Sequence, residues 1–323
     1  MRFPLAVSAT CAALLAVAAA PSSAMAELID SDLPVYRPQE DVSGPITLMG
    51  SRTMSNVAGI WMDTFNRYHP EVRPAIAVPG SRAAVDAVID GKATFGLLSR
   101  SITQAEVDKF VAKFGYRPTV LDCCKEHMAI YVSEKNPVKS LTLEQVRAIF
   151  SGQAKTWGEL GLTGPWASQP ILTHGRGETT GSRVFLEQTI LRGAGHKVAR
   201  EHSDYHDMVT AIADPQEARG IGYAGLIYKV KGIRAVPIAV TKDSQAVAID
   251  SLAAARGQYP IMRPLQLVVN QPPKGKLPTQ AAEFIKYVFS LSGQEDVIRS
   301  GFHPISAAPA RMALDATGLG TAR

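Results

Sequence analysis

The chain has 323 residues, a formal charge of +5 at pH 7 and only three cysteines. The positive charge is mild and is not gathered into a basic block, so the composition does not indicate a nucleic-acid-binding protein and suits a small anionic ligand. Three cysteines exclude the disulfide framework of a small secreted domain, while the length allows one large or two medium-sized α/β domains.

The N-terminus has the pattern of a secretory signal peptide. Arg2 precedes an almost wholly apolar stretch from Leu5 to Ala20, and Ala24-Met25-Ala26 matches the A-x-A rule for cleavage. We therefore predict a signal peptide at residues 1–26, cleaved after Ala26, which leaves a mature chain of 297 residues. The alternative is a retained membrane anchor, for which the apolar stretch is short and is followed by polar sequence.

The mature chain keeps two cysteines, Cys123 and Cys124, which are adjacent. Two structural roles are open to them, a strained vicinal disulfide or a pair of buried thiols at the end of a strand. A redox site is disfavoured because the C-x-x-C motif is missing, and a metal site because the spacing of ligands is missing.

After a polar extension at residues 27–44, strand-like and helix-like segments alternate. Thr103 and Glu106 form a capping box before one helix, and Ser140 is predicted to cap another. This alternation predicts a mainly parallel sheet with helices on both faces. The predicted strands are Ile46–Met49, Ala75–Val78, Phe95–Leu98, Met128–Val132, Pro170–His174, Ile221–Ala224, Ile233–Val240 and Leu265–Asn270. The predicted helices are Val57–Tyr68, Ala83–Asp90, Gln104–Phe114, Leu141–Phe150, Val184–Leu191, Tyr205–Ala213, 279–291 and 293–299.

The segment from Gly175 to Ser182 is the most informative motif, because it joins a predicted strand to a predicted helix. The first turn of a helix has unpaired N–H groups and the positive end of the helix dipole, which attract anions. Arg176 adds a planar charge suited to phosphate or carboxylate. The segment therefore predicts an anion site, and the alternative is an ordinary glycine-rich turn with a Thr or Ser cap.

Three more turns carry the same chemistry, each after a predicted strand. Each contains hydroxyls and an arginine, and the first two also contain glycine; the segments are Gly50–Ser55, Gly80–Arg82 and Ser99–Ser101. In an open α/β sheet, ligands bind at the carboxyl ends of strands, where such turns lie. Each turn alone also fits a common helix cap, but four of one kind at strand ends favour a shared anion cleft.

These motifs, taken together, resemble the phosphate-specific substrate-binding proteins of bacterial ABC transporters. The matches follow the order of that family and span about residues 45–305, which makes them far more specific than any single motif. They are Gly50–Thr53, Gly80-Ser81, Phe95–Arg100, Ser140–Gln145, Ile149–Gly152, Thr156–Leu160, Arg176–Ser182, Ile221–Gly225, Tyr259–Leu265 and Ser292–Glu295.

The resemblance implies a two-lobed α/β fold of the type II periplasmic-binding-protein class, with mixed sheets flanked by helices and a ligand cleft between the lobes. It places lobe 1 at residues 45–126 and 265–323 and lobe 2 at 127–264, with hinge crossings near 125–130 and 262–268. It also implies a monomeric periplasmic protein that binds inorganic phosphate without cofactor or metal, delivers it to an ABC permease and is not an enzyme.

The resemblance also implies roles for particular residues. Arg176 is expected to supply the charge contact, with Glu178 paired to it. The remaining phosphate ligands are expected to be N–H or hydroxyl donors, namely Ser51, Thr53, Met54, Ser81, Ser99, Thr180, Gly181 and Ser182. The family pattern in this loop has Ser-Gly-Thr, and the exchange of hydroxyls in Thr180-Gly181-Ser182 keeps their hydrogen-bonding capacity.

Position 99 departs from the pattern of some relatives, which have an aspartate there that accepts the proton of monohydrogen phosphate. This chain has Ser99 followed by Arg100, a pair that other relatives share. A hydroxyl can accept that proton but does not repel a fully ionised oxyanion. Selectivity for phosphate over sulfate or arsenate therefore stays open.

Alternatives from other classes are a phosphate-ester hydrolase and an oxyanion sensor or adhesion module on the same fold. The hydrolase would use His174, although the chain has no Gly-x-Ser-x-Gly elbow, and a packed strand histidine is favoured. A metal site would use Glu201, His202 and His206, but H-E-x-x-H is missing. The tryptophans are expected to pack the lobes rather than stack on sugars; they are Trp61, Trp157 and Trp166.

Overall fold

A computed structural model describes residues 29–320, which form an α/β protein with two lobes. The predicted signal peptide lies outside the described residues. Within the described range, no helix combines the length and apolar character needed to cross a membrane. The two-lobed fold class and the mixed sheets predicted above are confirmed.

Strands and helices follow one another from Gly44 to Ala316. The strands are β1 Gly44–Gly50, β2 Val72–Ala77, β3 Phe95–Leu98, β4 Thr119–Ser133, β5 Leu141–Thr142, β6 Leu172–Arg176, β7 Arg200–His202, β8 Gly220–Gly225, β9 Ile233–Ala235, β10 Ile238–Ala239 and β11 Met262–Val269. The helices are α1 Ser55–Tyr68, α2 Arg82–Ile89, α3 Gln104–Phe114, α4 Leu143–Phe150, α5 Gly181–Leu186, α6 Tyr205–Ala213, α7 Leu252–Ala255, α8 Thr279–Val288, α9 Leu291–Arg299 and α10 Ala307–Ala316. Short 3-10 turns join several of them, and a π-helical turn at Glu187–Leu191 extends α5.

The long strand β4 belongs to both lobes. Its first part, Thr119–His127, pairs with β11 in an antiparallel ladder, and its last residues, Met128–Val132, pair with β8. The whole sheet has the order β2-β1-β3-β11-β4-β8-β6-β7, with β9 also on β4. Because β4 and β11 run along the junction of the two halves, they are the segments that any hinge motion must bend.

Each lobe has its own hydrophobic core. The core of lobe 1 includes Trp61 and Phe284, which lie far apart in sequence, whereas the main core of lobe 2 lies wholly between Met128 and Ile261. A smaller cluster around Phe110 covers the other face of the lobe 1 sheet. The predicted lobe boundaries agree with this grouping of core residues but stay a prediction.

Several local predictions are confirmed. Thr103 and Glu106 form the capping box of α3, and α6 has the predicted bounds. Trp61 and Trp157 are fully buried, and Trp166 packs against the core of lobe 2. The predicted packing role of the tryptophans is therefore correct.

Three local predictions are wrong. Thr142 rather than Ser140 caps α4, because Leu141–Thr142 pairs with Ile238–Ala239 as a short strand and helix begins only afterwards. The predicted strand 233–240 is broken into β9 and β10 around Pro237, which has no N–H for a ladder. The sheet is not mainly parallel, because β11 and β8 both run antiparallel to β4.

Candidate ligand-binding site

A cavity of about 670 Å³ lies between the lobes at the ends of β1, β3 and β6. Lobe 1 contributes the turns after β1, β2 and β3, and lobe 2 contributes the loop after β6 together with the start of α6. The lining residues are Ser51, Arg52, Thr53, Pro79, Gly80, Ser81, Ser99, Arg176, Gly177, Thr179, Thr180, Gly181, Glu201, His202, Ser203, Asp204, Tyr205, His206 and Tyr228.

The lobe 1 turns hold one another in place through their backbones. The Ser51 N–H donates to the Leu97 carbonyl at 2.9 Å, and the Gly80 N–H donates to the Gly50 carbonyl at 2.8 Å. Gly50 has a φ of 146°, and a Cβ there would overlap the Leu97 carbonyl oxygen. A residue without a side chain is therefore required for β1 to end against β3.

Ser81 and Ser99 form a coupled pair of hydroxyls on the lobe 1 side. Their oxygens are 3.2 Å apart, and the Ser99 N–H donates to the Ser81 hydroxyl oxygen at 3.3 Å. Both side chains are buried. When one hydroxyl donates to the other, the pair has one hydroxyl proton left for a ligand.

Arg176, the last residue of β6, supplies the buried positive charge of the cavity. Its side chain is only 4% exposed, its guanidinium carbon lies 4.7 Å from the centroid of the Tyr205 ring, and one terminal nitrogen donates to the His202 carbonyl at 3.1 Å. Its Nε has no hydrogen-bond partner within residues 29–320. This contact holds the guanidinium against the ring and leaves donors for a ligand.

Arg176 differs from the other two arginines that are buried in the described structure. Arg100 pairs with Glu106 at 2.7 Å, and Arg263 donates to Glu126 at 2.7 Å. No carboxylate within residues 29–320 forms an ion pair with Arg176. A buried arginine without an ion-pair partner is unfavourable, so the site suits an anion.

The lobes touch at the N-terminus of α5. A Cβ on Gly181 would lie 2.8 Å from the Ser81 hydroxyl oxygen and would overlap the Ser99 hydroxyl. Gly181 belongs to lobe 2, and both serines belong to lobe 1. The contact shows that the lobes are closed on each other at this point.

Comparison with known proteins identifies the family. Residues 36–292 match a family model described as the PBP superfamily domain. The phosphate-binding protein PstS of Pseudomonas aeruginosa is 35% identical over 318 residues, covering 95% of this chain and 98% of the relative. The chain belongs to the PstS family of phosphate-binding proteins.

Solved structures show the same fold. An ABC-type phosphate transport receptor from Vibrio cholerae has a TM-score of 0.66 at 22% identity, covering 81% of this chain and all of that chain (100%). A proposed phosphate ABC transporter substrate-binding protein from Clostridium perfringens, solved with bound phosphate, has a TM-score of 0.66 at 21% identity, covering 81% and 100%.

Most residues expected from the PstS resemblance meet in the cavity. Those that line it are Ser51, Thr53, Ser81, Ser99, Arg176, Thr180 and Gly181. Met54 and Ser182 do not line it: Met54 has its side chain in the lobe 1 core and its N–H on the Ser51 carbonyl at 3.2 Å. Ser182 is buried, and its hydroxyl has no partner within the described residues. The role of each as a ligand stays a prediction.

The expected pairing of Glu178 with Arg176 is wrong. Glu178 is exposed and lies 3.4 Å from Arg183, which also contacts Glu187 at 3.0 Å and Glu201 at 3.5 Å. Arg183 lies in the first turns of α5, where it faces these three carboxylates. Arg176 instead lies on the Tyr205 ring, so its charge is not neutralised by the loop.

The sequence did not indicate Tyr205, Tyr228, Glu126 or Arg263 as parts of the site. Tyr205 and Tyr228 stack with ring centroids 4.4 Å apart and line the cavity. Arg263 lies in the family motif at Tyr259–Leu265, which is the one signal that could have found it.

The histidines near the cavity form structural contacts. The Nδ1 atom of His174 lies 2.9 Å from Nε2 of His202, and burial lowers the pKa of His174 to about 4. The favoured reading of His174 as a hydrogen-bonded strand residue is therefore correct. His202 ends β7 whereas His206 lies on α6, so their four-residue spacing does not place them on one helix face. Among the described residues, no group of three or more His, Cys, Asp or Glu side chains is arranged to hold a metal ion.

Cys123 and Cys124 are buried free thiols, so the disulfide alternative is wrong. The Cys123 thiol donates to the Leu265 carbonyl at 3.0 Å. The paired register of β4 and β11 shifts at this position, which leaves Cys123 as the extra residue of a β-bulge. The thiols thus belong to the packing of the strands that join the lobes.

Proposed function

We propose that this protein captures inorganic phosphate outside the cytoplasmic membrane and delivers it to the permease of an ABC transporter. The observation that carries the proposal is Arg176, a buried arginine that faces the cavity without an ion-pair partner among the described residues. The relatives of this protein support phosphate as the ligand, because they are named as phosphate-binding or phosphate-transport proteins.

The cavity suits a tetrahedral oxyanion held by donors from both lobes. Arg176 supplies charge-assisted hydrogen bonds, and Ser81, Ser99 and Thr53 supply hydroxyls from the opposite wall. Each hydrogen bond to a charged group contributes about 1.5–3 kcal/mol, so several give an affinity in the micromolar range or better, about −8 kcal/mol. Because the contacts come from both lobes, bound anion favours the closed state.

Isothermal titration calorimetry of the mature protein tests the central proposal. We expect saturable heat with phosphate at micromolar protein, and a phosphate monoester is titrated in parallel. Sulfate and arsenate, titrated in parallel, define the selectivity. An absence of heat with phosphate contradicts the proposed function.

The proposal includes export, cleavage after Ala26 and action as a monomer. Export agrees with the signal-like sequence of residues 1–26. Mass spectrometry of the protein from the periplasmic fraction should give an N-terminus at Glu27, and light scattering should give the mass of one mature chain. Transport itself is tested by loss of phosphate uptake when the gene is deleted, which a sensor or adhesion module would not cause.

The hydrolase alternative finds no support in the geometry. A serine nucleophile needs a general base within hydrogen-bond reach, and His174 contacts His202 instead. Ser81 and Ser99 contact each other, and no histidine bonds to either hydroxyl among the described residues. A chromogenic phosphate ester distinguishes the two functions. A hydrolase turns it over, whereas a binding protein binds phosphate and gives no turnover.

A further inference from the structure

Arg263 joins polar groups of both lobes beneath the cavity. Its side chain is fully buried, and its Nε donates to Glu126 at 2.7 Å. One terminal nitrogen donates to the Thr53 hydroxyl at 3.2 Å and to the Tyr205 hydroxyl at 3.4 Å. Thr53 follows β1 in lobe 1, Tyr205 begins α6 in lobe 2, and both line the cavity.

The chemistry of these bonds determines where the hydroxyl protons point. An arginine only donates hydrogen bonds, whereas a hydroxyl has one proton and accepts through its lone pairs. A hydroxyl that accepts from Arg263 therefore keeps its own proton for another acceptor. Thr53 and Tyr205 border a cavity that suits an anion, and an anion needs donors.

We propose that Arg263 is a positioning residue that makes Thr53 and Tyr205 hydrogen-bond donors toward the bound oxyanion, one from each lobe. The proposal rests on the proposed function of oxyanion capture. Arg263 does not itself line the cavity and acts through the two hydroxyls. Glu126, on the other strand that joins the lobes, holds the guanidinium in place and compensates its charge.

This arrangement links ligand binding to closure. Arg263 lies on β11 and Glu126 on β4, the two strands shared by the lobes. Arg263 reaches Thr53 and Tyr205 together only when the lobes are close. The two hydroxyls are thus oriented as donors in the closed state, which is the state that surrounds the ligand.

A double-mutant cycle tests the proposal. Removing Arg263 alone leaves Glu126 buried without a partner, which destabilises the fold, so we pair Arg263→Met with Glu126→Gln. We expect Thr53→Val to weaken phosphate binding about tenfold in the wild-type background and less than about twofold in the pair variant. Calorimetry measures the four dissociation constants. If Thr53→Val weakens phosphate binding by the same factor in both backgrounds, the proposal is overturned.

A matched control uses the ion pair between the buried Arg100 and the partly buried Glu106, which lies within lobe 1. Arg100→Met with Glu106→Gln removes an ion pair of 2.7 Å that contacts neither Thr53 nor Tyr205. Thr53→Val should keep its full effect of about tenfold in that background. If Thr53→Val no longer weakens phosphate binding in this control background either, the loss of its effect is not specific to Arg263.

A second variant keeps the proposal testable if the pair variant does not fold. Tyr205→Phe removes one hydroxyl and leaves the ring stacked on Tyr228. We expect about tenfold weaker phosphate binding with an unchanged unfolding temperature of the free protein. Unchanged affinity would overturn the donor role of Tyr205. A wild-type protein that gives no heat with phosphate would instead contradict the proposed function, which distinguishes the two failures.

Discussion

Arg176 is the residue on which binding of an anion depends most. Its guanidinium is buried against Tyr205, and no ion pair neutralises it within the described part of the chain. Arg52 also lines the cavity, but it is exposed and bonds through Nε to the Val78 carbonyl at 3.3 Å. Comparing variants of the two arginines therefore distinguishes the effect of a buried charge from that of a solvated charge.

We expect Arg176→Met to weaken phosphate binding by at least about 30-fold, because truncating one partner of a buried charge pair costs about 2–5 kcal/mol. Arg52→Met should change affinity less than about threefold, since exposed charges are solvated and screened by salt. Calorimetry at moderate salt measures both. Equal losses in the two variants would mean that general positive charge, rather than Arg176, attracts the ligand.

Ser99 controls selectivity if the predicted site is correct. We expect Ser99→Asp to favour phosphate over sulfate about tenfold more than wild type does, because a carboxylate accepts the proton of monohydrogen phosphate and repels sulfate. Ser99→Asn is the matched control, since it has a similar shape without the charge. Competition titrations of the two anions provide the measurement. An unchanged ratio in the aspartate variant contradicts the role of position 99.

Buried histidines make the stability depend on pH. Burial lowers the pKa of His127 to about 3 and those of His174 and His196 to about 4, whereas unfolded histidine titrates near 6.5. Below about pH 6.5 the unfolded chain therefore binds more protons than the folded chain, and the free energy of unfolding falls as pH falls toward about 4. Above that window the full stability is present.

His127→Phe removes one of these buried histidines and so measures its share of the pH dependence. Both ring nitrogens of His127 lack partners among the described residues, and the ring packs at a tilt against His303 with centroids 3.8 Å apart, so an apolar ring of similar shape can replace it. We expect the slope of unfolding free energy between about pH 5 and 6 to fall by up to about 1.4 kcal/mol per pH unit. Denaturant titrations give this slope. Parallel curves for the two proteins would contradict the assignment.

At the residue scale, the sequence predicts contacts that arise within one turn and misses those that cross the chain. Arg176 and its hydroxyl neighbours lie within eight residues, so their chemistry was visible in the motif. Arg263 meets Thr53 and Tyr205 across 210 and 58 residues, and only the folded sheet brings them together. The predicted pairing of Glu178 with Arg176 is wrong, because proximity in sequence does not show on which side of a loop a side chain lies.

At the element scale, helix α5 and the lobe 1 turns meet through a glycine. We expect Gly181→Ala to weaken phosphate binding about tenfold or more, because its methyl group overlaps the Ser99 hydroxyl when the lobes close. Opening the cleft relieves the overlap, so the unfolding temperature without ligand should change little. Calorimetry and small-angle scattering measure affinity and closure.

Gly59→Ala is the matched control for this prediction. Gly59 lies within α1, and nothing within 4 Å would meet an added Cβ. That variant should bind phosphate normally and gain about 0.5–1 kcal/mol of stability from helix propensity. If Gly181→Ala also binds normally and closes on phosphate, the lobes do not approach each other as described at α5.

Local signals predicted most elements but not the pairing of strands. The capping box at Thr103 is a property of neighbouring residues, and the sequence predicts it correctly. Strand β4 is longer than its apolar segment, because β11 supplies a partner for residues 119–127. Antiparallel pairing to β11 depends on a segment more than 130 residues away, which periodicity does not reveal.

At the scale of the whole molecule, the two lobes differ in how the chain supplies their cores. The main lobe 2 core draws all of its buried residues from between Met128 and Ile261. The main lobe 1 core needs both ends of the chain, since β11 lies between β3 and β4 and helices α8–α10 pack on the same sheet. If the predicted boundaries are used to cut the chain, lobe 2 is one continuous segment, whereas lobe 1 needs two separate segments.

We expect the fragment 127–264 to fold alone with one cooperative transition, because its strands and core are continuous in sequence. The fragment 29–126 should not fold, since its sheet lacks β11, whereas joining 29–126 to 265–320 through a short glycine-rich linker should restore cooperative unfolding. Circular dichroism with denaturant measures all three. A folded 29–126 fragment, or an unfolded 127–264 fragment, would contradict the discontinuous lobes. Neither isolated lobe should bind phosphate tightly, because Arg176 and the Ser81–Ser99 pair then belong to different molecules.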